Sequence, residues 1–251
     1  MKVRNFLFTA CLFSLPLLTS NAGAEEVRIA VAANFTDATK IIAPLFEKAT
    51  GHTTKVSYGS TGKLFAQIEH GAPFEVFLAA DTKRPEKAEK ENLAVVGTRF
   101  VYAEGKLALW SVDPKRFQSG EAFLKSADFD HVALANPKTA PYGLAAEQVM
   151  SHMGLFETLM PKRVQGDSIA QTFQFAATGN ADAGFVALSQ VKAWKGDPGS
   201  LWVIPADYYA PIQQAAVLLK KGEHNPAAQA YLDFLKSDEA REVIERFGYG
   251  F

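Results

Sequence analysis

The chain has 251 residues, of which 48% are apolar and 21% charged, with a formal net charge of −1. Those proportions exclude a disordered, a fibrous or a polytopic membrane protein. A chain this long buries about 70–75% of the surface it exposes when unfolded, so it needs neither a disulfide nor a structural metal, and it has one cysteine, Cys11.

Met1 to Ala24 has the layout of a secretory leader: Lys2 and Arg4, the apolar run Phe6 to Leu18, then Ala22-Gly23-Ala24 as an A-x-A cleavage site. The apolar run is too short for a spanning anchor and is interrupted by Pro16. Phe8-Thr9-Ala10-Cys11 resembles a lipobox only loosely, because apolar residues continue past Cys11. The expected mature chain therefore starts at Glu25, runs for 227 residues and lies in the periplasm. Two of the 26 basic residues and none of the 27 acidic ones fall in the leader, which moves the net charge to −3. A weakly acidic surface without basic runs argues against nucleic acid as a partner.

From Val27 the chain alternates apolar runs with helical spacing. Val27 to Ala33 reads as a strand, and Phe35, Ala38, Ile41, Ile42, Leu45, Phe46 and Ala49 fall on one face of a helix with Asn34 as its N-cap. Pro44 is expected to bend that helix. Thr53 to Ser57 reads as a strand, Gly59 to Gly62 as a turn, and Lys63 to His70 as a helix with Leu64, Phe65 and Ile68 inward. Phe74 to Ala80 and the charged segment Thr82 to Glu91 repeat the strand–helix order, which implies a mostly parallel sheet covered on both faces. Between Gly97 and Ser111 two extended runs flank Glu104-Gly105. The order then resumes with strand His131 to Ala135, helix Pro141 to His152, strand Arg163 to Gln165, helix Ser168 to Ala177 and strands Ala183 to Leu188 and Leu201 to Ile204. Gln214 to Lys220 returns as a strand. Two helices close the chain, the first opened by Asn225-Pro226, the second capped by Ser237 and ended by Gly248.

This pattern predicts two α/β lobes, 25–104 with 217–251 and 105–216, joined by two crossing segments with a cleft between them. In open α/β sheets, ligands sit beyond the carboxyl ends of the strands, where helix N-termini converge. Four such junctions can be read: Ala33-Asn34-Phe35, Gly59 to Gly62, Ala140 to Gly143, and Asp167-Ser168-Ile169. None carries Lys or Arg at the turn, and all supply small or hydroxyl residues beside a helix start, where free N–H groups favour anions. Any one of them alone reads better as an ordinary helix cap, and it is four in one chain, two per lobe, that favour a site. Gly59 to Lys63 brushes against the P-loop pattern but has Ser57 and Leu64 where that pattern needs Gly and Ser or Thr.

Enzyme chemistry finds little support in the residues, and a periplasmic enzyme stands only as a third reading. His52, His70, His131, His152 and His224 fall at no metal-ligand spacing, there is no G-x-S-x-G elbow, and the mature chain has no thiol. Trp110, Tyr208 and Tyr209 sit by the expected crossings as packing residues.

The blocks IAVAANF (29–35), SYGSTGKLFAQIEHGAPFEVFLAAD (57–81), NPKTAPYGLAAEQV (136–149), GDSIAQTF (166–173) and GFVALSQ (184–190), in this order, resemble the ModA family, the periplasmic molybdate-binding proteins of ABC importers. The resemblance implies a monomeric type II periplasmic binding protein that closes on molybdate or tungstate and hands it to a membrane permease. It implies no cofactor and no metal coordinated by the protein, since the oxyanion is held by hydrogen bonds alone. It places the ligand contacts at Ala33 and Asn34, at Ser60 and Thr61, and at the backbone N–H groups of Tyr142 and Ile169. Some members add a tyrosine hydroxyl where this chain has Ala187, a contact that Asn34 would replace here. A sulfate or phosphate binder would use the same fold, with Asp167 the only nearby acceptor for a phosphate proton. A ligand-sensing module of a regulator is the reading from another class; the leader and the lack of a DNA-binding helix pair argue against it.

Overall fold

The computed structural model describes residues 23–251. The predicted leader, apart from Gly23 and Ala24, lies outside the described residues, and so does Cys11. No helix among the described residues is long and apolar enough to cross a membrane.

The chain runs β1 (Glu26–Ala32), a 3-10 turn (Ala33–Phe35), α1 (Thr36–Thr50), β2 (Thr53–Gly59), α2 (Thr61–Glu69), β3 (Val76–Leu78), α3 (Lys83–Lys90) and β4 (Phe100–Gly105). It continues with β5 (Leu107–Ser111), α4 (Gly120–Ser126), β6 (Val132–Ala135), α5 (Pro141–His152), α6 (Phe156–Leu159), β7 (Arg163–Gly166), α7 (Ile169–Ala177), β8 (Ala183–Ala187), α8 (Leu188–Ala193) and β9 (Ser200–Val203). It ends with β10 (Ile212–Leu218), α9 (Pro226–Phe234) and α10 (Asp238–Arg246).

Two five-stranded sheets result, ordered β2-β1-β3-β10-β4 and β7-β6-β8-β5-β9. β1 pairs in parallel with β2 and β3, whereas β10 is antiparallel to both its neighbours. The second sheet repeats this plan: β6 is parallel to β7 and β8, and β5 is antiparallel to β8 and β9. One reversed strand in an otherwise co-directional sheet is what each return crossing requires, because β4 and β5 are joined through Lys106 alone yet belong to different sheets. This is the two-lobed type II periplasmic binding fold.

The period of two along each strand sorts its side chains onto two faces. Val27, Ile29 and Val31 join Phe35, Ile42, Phe46 and Tyr231 under α1, α9 and α10, while Ala30 joins Leu64, Phe65 and Phe77 on the opposite face. In the second sheet Leu107 and Leu109 pack with Ala146, Val149 and Phe185, and Ala108 and Trp110 pack with Ala176 and Val186. Trp110 stacks on Phe173 at 4.9 Å, and the Tyr209 hydroxyl accepts the Leu107 N–H at 3.0 Å, tying one crossing to the other.

Three local expectations are corrected, and the short helices α4, α6 and α8 are additions to the expected elements. Asn34 is not an N-cap: it lies inside the 3-10 turn, Phe35 precedes α1 and no side chain caps that helix. The strand expected over Phe74–Ala80 is ladder-paired only at Val76–Leu78, and that expected over Gln214–Lys220 begins two residues earlier. The polar stretch after β5 contains α4, capped by the Ser119 hydroxyl, which accepts the Ala122 N–H at 3.2 Å. The caps expected at Asn225 and Ser237 are present, each side chain accepting a first-turn N–H, and Gly248 has the positive φ (83°) that an L side chain resists.

Candidate ligand-binding site

The four junctions meet. Ala33, Asn34, Ser60, Thr61, Tyr142 and Ile169 all line one small cavity between the sheets, closed by Ala32, Ala80, Ala140 and Pro141. Its volume is about 10 Å³, the room of a single water-sized group. Pockets for drug-sized molecules run to roughly 300–1,000 Å³, so this space suits an ion or an equally small solute. No Lys, Arg, Asp or Glu side chain is among the lining residues.

Each junction supplies donors in its own way. At α2 the Ser60 hydroxyl is buried and makes no hydrogen bond, although Ser60 occupies the N-cap position. An unpaired buried hydroxyl costs about 1–3 kcal/mol, so a partner is expected where it faces the cavity. The neighbouring Thr61 hydroxyl accepts the Ala80 N–H at 3.0 Å and keeps its own proton available to donate. Pro141 opens α5 without an N–H, which makes that of Tyr142 the first in the helix, and neither it nor the Ile169 N–H that opens α7 can have an intrahelical partner. The Ser168 hydroxyl caps α7 further in, accepting the Gln171 N–H at 3.3 Å. Gly143 lets α5 sit close on β6, since a Cβ there would lie 2.1 Å from the Ala135 carbonyl oxygen.

Asn34 lines the cavity, but its amide hydrogens are engaged elsewhere. Nδ2 donates to Gln214 Oε1 at 2.8 Å and to the Tyr249 hydroxyl at 3.1 Å. The main-chain carbonyl of Asn34 accepts from the Tyr249 hydroxyl at 2.7 Å and from Ser189 Oγ at 2.9 Å. The expectation that this side chain replaces the tyrosine contact missing at Ala187 is therefore corrected: its donors are already used, and the first junction offers backbone. Ala187 is buried in the second core, its N–H donating to Gln190 Oε1. Sequence reasoning missed Gln214, Tyr102 and Tyr249, which form this buried network. Burial holds the hydroxyls of Tyr102, Tyr142 and Tyr249 above the ordinary phenol range, so all three are neutral hydrogen-bonding groups.

Asp167 does not line the cavity and pairs at the surface with Lys63, 2.8 Å away. No cluster of three His, Cys, Asp or Glu able to hold a metal occurs among the described residues.

Two lobes closed over a small cavity lined by neutral donors define the class: a solute-binding protein that encloses its ligand at the ends of helices. The model of the bacterial extracellular solute-binding proteins matches residues 27–250, and the chain belongs to that family. It is 57% identical to the molybdate-binding protein ModA of Azotobacter vinelandii over 235 residues, covering 93% of each chain. It is 56% identical to ModA of Rhodobacter capsulatus over 228 residues, covering 91% of this chain and 89% of that one. Among solved structures it is similar to a periplasmic molybdate-binding protein of A. vinelandii, with a TM-score of 0.86 and 40% identity over 90% of this chain and 99% of the other.

Proposed function

We propose that this protein is the periplasmic solute-binding component of an ABC importer, that it binds molybdate and tungstate as tetrahedral dianions, and that it presents them to a membrane permease. The observation that carries the reading is the unpartnered Ser60 hydroxyl in a cavity lined also by Thr61, Tyr142 and Ile169, which carry the first N–H groups of α2, α5 and α7. A fully ionised oxyanion accepts hydrogen bonds and donates none, and each bond to a charged acceptor contributes about 1.5–3 kcal/mol, so several converging donors offset its desolvation. The named relatives support molybdate as the ion. Ala33, Asn34, Ser60, Thr61, Tyr142 and Ile169 form the binding shell, with Asn34 contributing backbone.

The reading extends to the chain as a whole. A leader removed after Ala24 delivers it to the periplasm, and it works as a monomer without cofactor or catalytic residue. The lobes divide as 25–104 with 217–251 and 105–216, the second crossing passing through β10, whose Ile212 packs with the second core and whose Leu218 packs with the first. Phosphate is disfavoured because a protonated oxyanion needs an acceptor and Asp167 lies outside the cavity. Titration calorimetry against molybdate, tungstate, sulfate and phosphate tests the assignment: heat and tight binding are expected for the first two. Tight binding of sulfate or phosphate without response to molybdate would overturn it.

A further inference from the structure

We propose that Gln214 is a positioning residue for the oxyanion site, holding the binding segments of both lobes and keeping the Asn34 amide turned away from the ligand. The inference rests on the oxyanion reading above. Gln214 is fully buried on β10, the strand that returns from the second sheet to the first. Its Oε1 accepts from Asn34 Nδ2 at 2.8 Å and from the Tyr102 hydroxyl at 3.0 Å, and its Nε2 donates to the Tyr142 hydroxyl at 3.3 Å. Asn34 and Tyr142 are the cavity-lining residues at the starts of α1 and α5, so one carboxamide bridges the two sides of the site.

Two backbone features build this arrangement. The pairing of β10 with β4 shifts register between Gln214 and Ala215, and such an irregularity re-aims a side chain next to a site. Across from it, Gly105 leaves the space empty: a Cβ there would lie 2.1 Å from the Tyr142 hydroxyl and 2.7 Å from Gln214 Nε2. The chemistry also requires an amide. The oxygen of Gln214 takes a hydrogen from Asn34, which fixes which end of that carboxamide is a donor and where it points. Freed from Gln214, the Asn34 amide can rotate and bring its own carbonyl oxygen toward the anion, an acceptor against an acceptor.

Gln214→Met keeps the volume and removes both roles. It should weaken molybdate binding about tenfold, the loss expected of one neutral hydrogen bond, and by clearly less in an Asn34→Ala background, where only the bonds to Tyr142 and Tyr102 remain to be lost. Equal losses in both backgrounds, or no loss in either, would overturn the proposal. Side-chain amide spectra of ¹⁵N-labelled, ligand-free protein give a second readout that needs no anion. The Asn34 Nδ2 pair, assigned by its disappearance in Asn34→Ala, should exchange slowly in the wild type and rapidly in Gln214→Met; unchanged exchange counts against Gln214. A wild type that binds no oxyanion would sink the functional reading while the spectra still decide this one. If Gln214→Met does not fold, Gln214→Glu keeps the shape. Protonated, that acid still donates to Tyr142; ionised, it cannot. Oxyanion affinity should then rise with falling pH in this variant while the wild type stays flat, and matching profiles overturn the proposal.

Discussion

Ser60 and Thr61 are neighbours with opposite obligations, and their alanine variants separate ligand binding from stability. The Ser60 hydroxyl has no partner in the protein, so Ser60→Ala should leave the melting temperature of the ligand-free protein unchanged or slightly raised. The same change should weaken oxyanion binding about 10- to 100-fold by calorimetry, the range for a bond to a charged acceptor. Thr61→Ala should do both kinds of damage, because it also strips the buried Ala80 N–H of its acceptor, a cost of about 1–3 kcal/mol. A destabilised Ser60→Ala, or a Thr61→Ala as stable as the wild type, would contradict these roles. Hydroxyls beside glycine at a helix start were legible as candidate donors in the sequence. Which of the two is spoken for was not, since the partner of Thr61 is 19 residues away, two residues beyond β3.

At the scale of elements, the strands and helices that border the site were predicted well because each carries its own signal. α5 has Pro141 at its first position and α7 has Ser168 as a working cap. Removing that cap in Ser168→Ala should cost about 1 kcal/mol in urea unfolding. Gly143→Ala is expected to be harsher, because its Cβ would strike the Ala135 carbonyl, which is backbone and cannot give way. α5 must then lift from β6 and carry the Tyr142 N–H out of the cavity. Binding should fall at least tenfold in calorimetry, whereas Leu144→Ala, one residue on and half-exposed, should bind as the wild type does. The helices missed in the sequence, α4, α6 and α8, are seven, four and six residues long, too short for helical periodicity to register. The Asn34 turn was misjudged for a related reason: Asn at a strand–helix junction is a good local cap, but two distant partners compete for its side chain and prevail.

At the scale of the molecule, the lobes touch through contacts that only the closed form can make. The Gly62 N–H donates to the Thr139 carbonyl at 2.8 Å, and Arg84, ion-paired with Asp81, donates to the Lys138 carbonyl at 2.9 Å. A Cβ on Gly62 would lie 2.9 Å from Thr139 Cα, so Gly62→Ala should hold the lobes apart. Solution scattering of the molybdate-bound protein would then give a larger radius of gyration than the wild type; equal radii would argue against closure at this point. The pH dependence of stability also belongs to the whole fold. Burial raises the hydroxyls of Tyr102, Tyr142, Tyr231 and Tyr249 above the reference value of 10.0, so the unfolded chain loses these protons first. Their contribution is intact below about pH 10 and is lost as pH rises beyond it. Thermal melts should therefore show these four side chains adding no pH dependence at neutral pH and a fall in midpoint above pH 10.

The sequence by itself determined the alternation of strands and helices, the return crossings and the neutral character of the junctions, because periodicity, caps and the absence of Lys and Arg are local properties of the chain. Only the tertiary structure decided that the four junctions share one cavity, that Asn34 faces Gln214 180 residues away, and that Gly62 spends its N–H on the other lobe. The physical reason is that hydrophobic patterning specifies which face of an element is buried but not what it is buried against. A hydrogen-bond donor is assigned only when folding brings an acceptor within reach.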